Sequence, residues 1–175
     1  KATSIKKFRE EYPNADEYEI ISFECNPKFK KILENINDIT FHNKAVWVEN
    51  NKIKFYLGHG SSSSLIYGKT RGNLDFDNPI EVDCTDFSKW IIENFDKDDY
   101  IILKMDIEGA EYKVLEKMID EDTINYVDKL YVEFHGARVF KTREETKKIR
   151  TEIRNRGIAV HNWDATSKKP ILGLN

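Results

Sequence analysis

The chain predicts an α/β domain with a mostly parallel sheet and helices on both faces. Three observations carry this. Short apolar runs alternate with segments of helical period along the whole chain. Helical starts and stops are punctuated, as at Asn26-Pro27 and Gly157. Acids and a histidine fall just past the ends of apolar runs, where sheets of this kind place their chemistry.

Taken in order, Ile5, Phe8 and Tyr12 recur at helical spacing, and Pro13-Asn14 ends that helix. "YEIISFE" (18–24) reads as a short strand ending in an acid. "NPKFKKILENI" follows as a helix, with Asn26 as N-cap and Pro27 at the first helical position. "ITFHNKAVWV" (39–48) reads as one strand, and "KIKFYLG" as another after a turn at 49–51. "GHGSSSS" (58–64) reads as a flexible loop. "IEVDC" is a strand, and an amphipathic helix begins at Asp86. "DDYIILKMDIEG" is the longest apolar strand, and the helix after it sets Tyr112, Leu115 and Ile119 on one face. "KLYVEFHG", the solvated helix "TREETKKIRTEIRNRG" and the strand "IAVHNW" complete the pattern.

The 175 residues suffice for a single domain, 1–175, with a sizeable core. Lys plus Arg number 28 against 31 Asp plus Glu, so the basic excess of a phosphate-backbone binder is missing and nucleic acid is not an expected partner. No apolar run approaches the ~18 residues of a membrane span, so no membrane association is expected. Cys25 and Cys84 lie far apart with no metal-ligand spacing. They read as reduced thiols of a cytoplasmic protein.

The chemistry-bearing residues come from unrelated stretches. Lys104, Asp106 and Glu108 share one face of the long strand by its period of two. Acids at such a strand end can orient a ligand amine, bind a metal or accept a proton; the plainer role is to cap the next helix. Lys104 reads equally well as an internal ion-pair partner, and Glu111, in the first helical turn, as a dipole partner. His135 ends another strand beside Glu133 and suits a general base, although a lone histidine there is often structural. Ser61 to Ser64 can hydrogen-bond a ligand or simply form a loop. His161, Trp163 and Asp164 end the last strand, where the indole offers a flat face to a sugar; ordinary edge packing is the more economical reading.

"ISFECNPKFKKILENI", "NKAVW", "GSSSSLI", "LKMDIEGAEYKVLEKM" and "YVEFH" occur in this order. The set resembles the FkbM family of S-adenosylmethionine-dependent methyltransferases from about Ile20 to His135. The Lys-x-Asp-x-Glu-Gly-Ala-Glu block is its most specific part. The resemblance implies a Rossmann-like class I methyltransferase fold and O-methylation of a hydroxyl on a sugar, a glycan or another small natural product. It makes Glu24 the carboxylate for the cofactor ribose and sets Asn43, Lys44 and Ala45 beside the adenine. It places Asp106 at both the cofactor and the reacting centre, together with Glu108 and His135. No obligatory metal is expected. The family also carries a first strand and a Gly-Ala-Asn type loop ahead of the helix equated with residues 1–12. Neither occurs here, so both are expected to be encoded before Lys1, leaving the domain N-terminally incomplete. Two rivals stay open: a catalytically inactive Rossmann-like binding module, and a nicotinamide-dependent oxidoreductase, whose G-x-G-x-x-G fingerprint is missing. The oligomeric state is not written in the sequence.

Overall fold

The computed structural model describes residues 2–163 and 170–173. Helix α1 (Thr3–Glu11) is followed by β1 (Ile21–Phe23), α2 (Pro27–Glu34), β2 (Thr40–His42), β3 (Ala45–Trp47), β4 (Lys52–Phe55) and β5 (Ile80–Asp86). Then come α3 (Phe87–Asn94), β6 (Ile101–Met105), α4 (Glu111–Asp120), β7 (Val127–Val132), α5 (Arg143–Asn155) and β8 (Ala159–His161). The alternation of strand and helix is therefore real, and the molecule is a mixed α/β protein with parallel pairing.

Local chemistry accounts for the helix starts. The Asn26 side chain accepts from the Lys28 amide with Pro27 behind it, and Asp86 accepts from the Lys89 amide. Thr142 and Glu145 form a reciprocal capping box at α5. Helix α4 is different: Ala110 stands at its N-cap and supplies no side-chain bond.

Among the described residues the strands form three small sheets rather than one continuous sheet. β1 pairs parallel with β2; β5 lies between parallel β3 and antiparallel β4; and β7 lies between β6 and β8, all parallel. Among the described residues no ladder joins β1 to β6. The stretch expected as one strand at 39–48 breaks at Asn43-Lys44 into β2 and β3. The break has a structural reason: Phe41 sits in register with Ser22 of β1, while Val46 sits in register with Thr85 of β5. One straight strand could not serve both partners.

The main core lies on one side of β6–β7–β8. Ile101 and Met105 of β6 and Leu130 and Val132 of β7 point into it, where α3, α4 and α5 supply Ile91, Leu115, Met118 and Ile153. The alternate residues Ile102 and Tyr131 face the other side and pack with Phe8, Tyr12 and Trp163. Helices thus cover both faces of this ladder, as the alternating pattern implies. No helix among the described residues is long and apolar enough to cross a membrane.

Leu115 is fully enclosed in the main core. Leu115→Ala is therefore expected to lower unfolding stability by about 2–5 kcal/mol in urea titration. A loss under about 1 kcal/mol would contradict the packing described.

Candidate active site

Strand β6 ends at Met105, and its backbone then turns away from strand geometry. Glu108 adopts a left-handed conformation (φ 55°), and Gly109 follows at φ 111°. A side chain on Gly109 would collide with Val139 Cγ1, so this position requires glycine on two counts. The turn gives the two acids different cationic partners while keeping them close, with ligand atoms within 4.8 Å of each other. Asp106 stays beside Lys104, with Nζ 2.8 Å from Oδ2. Glu108 is held by Lys69 and Arg138, with Arg138 Nη1 3.3 Å from Oε2.

Lys69 belongs to the loop between β4 and β5. Its side chain is fully buried, ion-paired to Glu108 and bonded to the Ser62 carbonyl at 2.6 Å. The serine run expected to be a flexible loop is partly interior. Ser63 Oγ accepts from Asn26 Nδ2 at 3.1 Å and from the Gly58 amide at 3.0 Å. Ser64 Oγ donates to the Glu108 carbonyl at 2.8 Å and accepts from the Ile66 amide. Satisfied hydroxyls allow these serines to be buried, and they tie the loop to the β6 turn.

Glu111 organises the centre. It is the first residue of α4 and is fully buried. Its Oε2 accepts from the Gly109 amide at 2.8 Å, and its Oε1 accepts from the His135 amide at 2.6 Å. The same Oε1 lies 3.1 Å from His135 Nδ1. An acceptor there sets the imidazole proton on Nδ1 and leaves Nε2 facing three acids. Nε2 lies 3.4 Å from Glu133, 3.7 Å from Glu108 and 3.8 Å from Asp106. Burial disfavours the charged imidazole, but the bond to Glu111 and the charges of Glu111, Glu108 and Asp106 outweigh it and raise the His135 pKa.

Neither Asp106 nor Glu108 caps α4; Glu111 serves the start of that helix through the Gly109 amide. A signal for Glu111 was present in the sequence. Val114, Leu115 and Met118 stand three, four and seven residues on, all buried, so Glu111 lies on the apolar stripe rather than on the solvent side.

A recess opens beside this cluster. Glu24, Lys44, Ala45, Asp106 and Glu108 line it together with Ser63. Four of the anticipated cofactor residues therefore converge. Asn43 is exposed and outside the lining. Glu24 Oε1 accepts from the Asn26 amide at 2.7 Å, and burial pushes its carboxyl pKa up. A carboxylate losing solvent in this way gains from hydroxyl donors, so it fits a vicinal diol. Cys25 also lines the recess, but burial pushes its thiol up to about 12, which makes it a poor nucleophile. Both cysteines are free.

Ligand atoms of Asp106, Glu108 and His135 lie within 4.8 Å of one another, a set able to hold a divalent ion. The same carboxylates are already engaged by Lys104, Lys69 and Arg138. The last strand stands apart from this centre. Trp163 is buried against Tyr131, their rings 5.1 Å apart, and His161 stacks on the same tyrosine. Edge packing therefore accounts for Trp163, and Asp164 lies outside the described residues.

If Glu111 holds the centre, Glu111→Ala strands two buried amides and the imidazole. An unfolding titration is expected to show a loss of roughly 3–5 kcal/mol. A loss below about 1 kcal/mol would remove Glu111 from this role.

No curated protein and no solved structure matches the chain. The methyltransferase FkbM domain matches residues 3–158, nearly the whole length and including every residue of the centre described above. The chain belongs to the FkbM methyltransferase family.

Proposed function

We propose that this methyltransferase uses S-adenosylmethionine to methylate a hydroxyl of a sugar, a glycan or another small natural product. The observation that carries this reading is the shared recess: Glu24 after β1, Ala45 at the start of β3 and Asp106 after β6 line one space, and His135 Nε2 lies behind that lining, 3.8 Å from Asp106. We read the parallel ladders β1–β2 and β6–β7–β8 as parts of one Rossmann-like sheet whose strand ends meet there. A cytoplasmic site of action rests on the two free thiols.

In this reading Glu24 accepts the two ribose hydroxyls and Lys44 and Ala45 border the adenine. Asp106 orients the donor's amino group from the end of β6. When bound, S-adenosylmethionine supplies a sulfonium-activated methyl group that passes to the acceptor oxygen as its carbon–sulfur bond breaks. The remaining work falls to the protein. His135 Nε2 takes the proton from the acceptor hydroxyl, and Glu111 steadies the imidazolium through Nδ1. Glu108, held by Lys69 and Arg138, keeps a fixed negative charge beside the ring.

Two variants test this. Glu24→Ala is expected to weaken binding of S-adenosylhomocysteine by roughly 1.5–3 kcal/mol in calorimetry. Asp106→Asn is expected to keep the melting temperature while methyl transfer falls about a hundredfold, ~2.7 kcal/mol in the barrier. Unchanged affinity in the first removes Glu24 from the cofactor site. Full activity or unfolding in the second makes Asp106 structural.

A further inference from the structure

Helix α5 sorts its charges by face. Arg143, Lys147, Arg150 and Arg154 recur four, three and four positions apart, so they fall on one stripe about 16 Å long. Glu144, Glu145 and Glu152 fall on other faces. Elsewhere the helices pair their cations one turn away: Lys30 with Glu34, Lys89 with Glu93 and Lys117 with Glu121. The opposite flank of α5 does the same, with Lys141 on Glu145 and Arg156 on Glu152. The stripe does not. Arg150 bonds to Asn162, Arg154 donates to the Val160 carbonyl, and no acid among the described residues pairs with any of the four. Like charges three and four residues apart repel along a helix. Burial and the Arg154 charge lower the Arg150 pKa, so the guanidinium feels that repulsion. Stability alone would favour a glutamate within the stripe, as on the other flank.

The head of the stripe opens on a second recess. Arg143 lines it together with Phe134, Lys141 and Thr146. The Arg150 guanidinium lies 4.8 Å from the Phe134 ring centroid, so two residues of the stripe stand at this recess. No residue that lines it also lines the recess at Glu24. The segment 133–135 divides the two. Glu133 and His135 turn to one side, with Nε2 3.4 Å from the Glu133 carboxylate. Phe134 between them turns to Tyr112 and Arg150.

We propose that the α5 stripe and its recess bind an oligophosphate group, at a site separate from the recess at Glu24. Three of the four cations are arginines, whose planar forks match phosphate oxygens two at a time. A row about 16 Å long is more than one phosphate covers, so it calls for linked phosphates. The recess closes one end of the row, which suits a small molecule. A bilayer takes up apolar side chains beside the basic ones, and the isoleucines of α5, Ile149 and Ile153, are buried. A nucleic-acid strand calls for a basic field beyond one helix face, and the chain has a net charge of -3.

Calorimetry with sodium tripolyphosphate tests this on the wild type, Lys147→Glu and Lys148→Glu. Lys148 stands about 100° around the helix from Lys147 and serves as the control. Wild type is expected to bind tripolyphosphate at one site. Lys147→Glu is expected to weaken it about tenfold, and Lys148→Glu by less than about twofold. Lys147→Glu also sets opposite charges beside Arg143 and Arg150, so its melting temperature should hold or rise, which separates lost binding from lost fold. Glu24→Ala is expected to leave tripolyphosphate affinity unchanged. No binding by wild type, equal losses in the two lysine variants, or equally tight binding of sulfate at matched ionic strength overturns the site. Retention on phosphatidylglycerol vesicles or on a single-stranded oligonucleotide, without tripolyphosphate binding, overturns it too. Loss of tripolyphosphate binding in Glu24→Ala overturns its separation from the recess at Glu24.

Discussion

A single buried carboxylate joins the ends of β6 and β7. Glu111 receives the amide of Gly109, beyond β6, and both the amide and the ring nitrogen of His135, beyond β7. Register alone aligns β6 with β7 only as far as Met105 and Val132. Past that point the chains diverge into turns, and Glu111 holds them at a fixed separation. An unpaired carboxylate could not remain at full burial; three donors make it tolerable there. The cost of burial is therefore met by the same bonds that set the geometry of the centre.

The charge pattern around the imidazole follows from that placement. Glu111 fixes Nδ1, so Nε2 must face Asp106, Glu108 and Glu133. Lys104 pairs with Asp106, and Lys69 and Arg138 pair with Glu108, which offsets the repulsion between the acids. The raised His135 pKa has opposite consequences for stability and for chemistry. Its stabilising contribution is complete below the ordinary histidine pKa and fades as pH rises through the higher folded value. The neutral ring needed to accept a proton appears over that same upper range. The centre thus becomes competent as it gives up part of its own electrostatic support.

Much of this was legible in the sequence wherever a local rule acts alone. Asn26-Pro27 and Asp86 declare helix starts because capping needs only the next few residues. The approach of Glu24 and Asp106 to one recess, with His135 beside Asp106, followed from strand order, since parallel strands bring their carboxyl ends to one edge. Features decided by distant partners were not legible. The break at Asn43-Lys44 depends on β1 and β5 claiming different halves of one apolar run. Ser63 and Ser64 look like loop residues until Asn26 and Glu108 supply their bonds. The left-handed turn at Glu108 and its pairing with Lys69 and Arg138 depend on segments far away in the chain. Glu111 was readable in principle from the buried stripe it shares with Val114, Leu115 and Met118, but an acid at a helix start reads first as a dipole partner.

The central claim is that Glu111 sets both the tautomer and the basicity of His135. A 15N NMR titration of histidine-labelled protein observes both directly. The account predicts that His135 titrates above 6.5, with the proton on Nδ1 in its neutral form. A midpoint at or below 6.5, or a neutral ring protonated on Nε2, would contradict it.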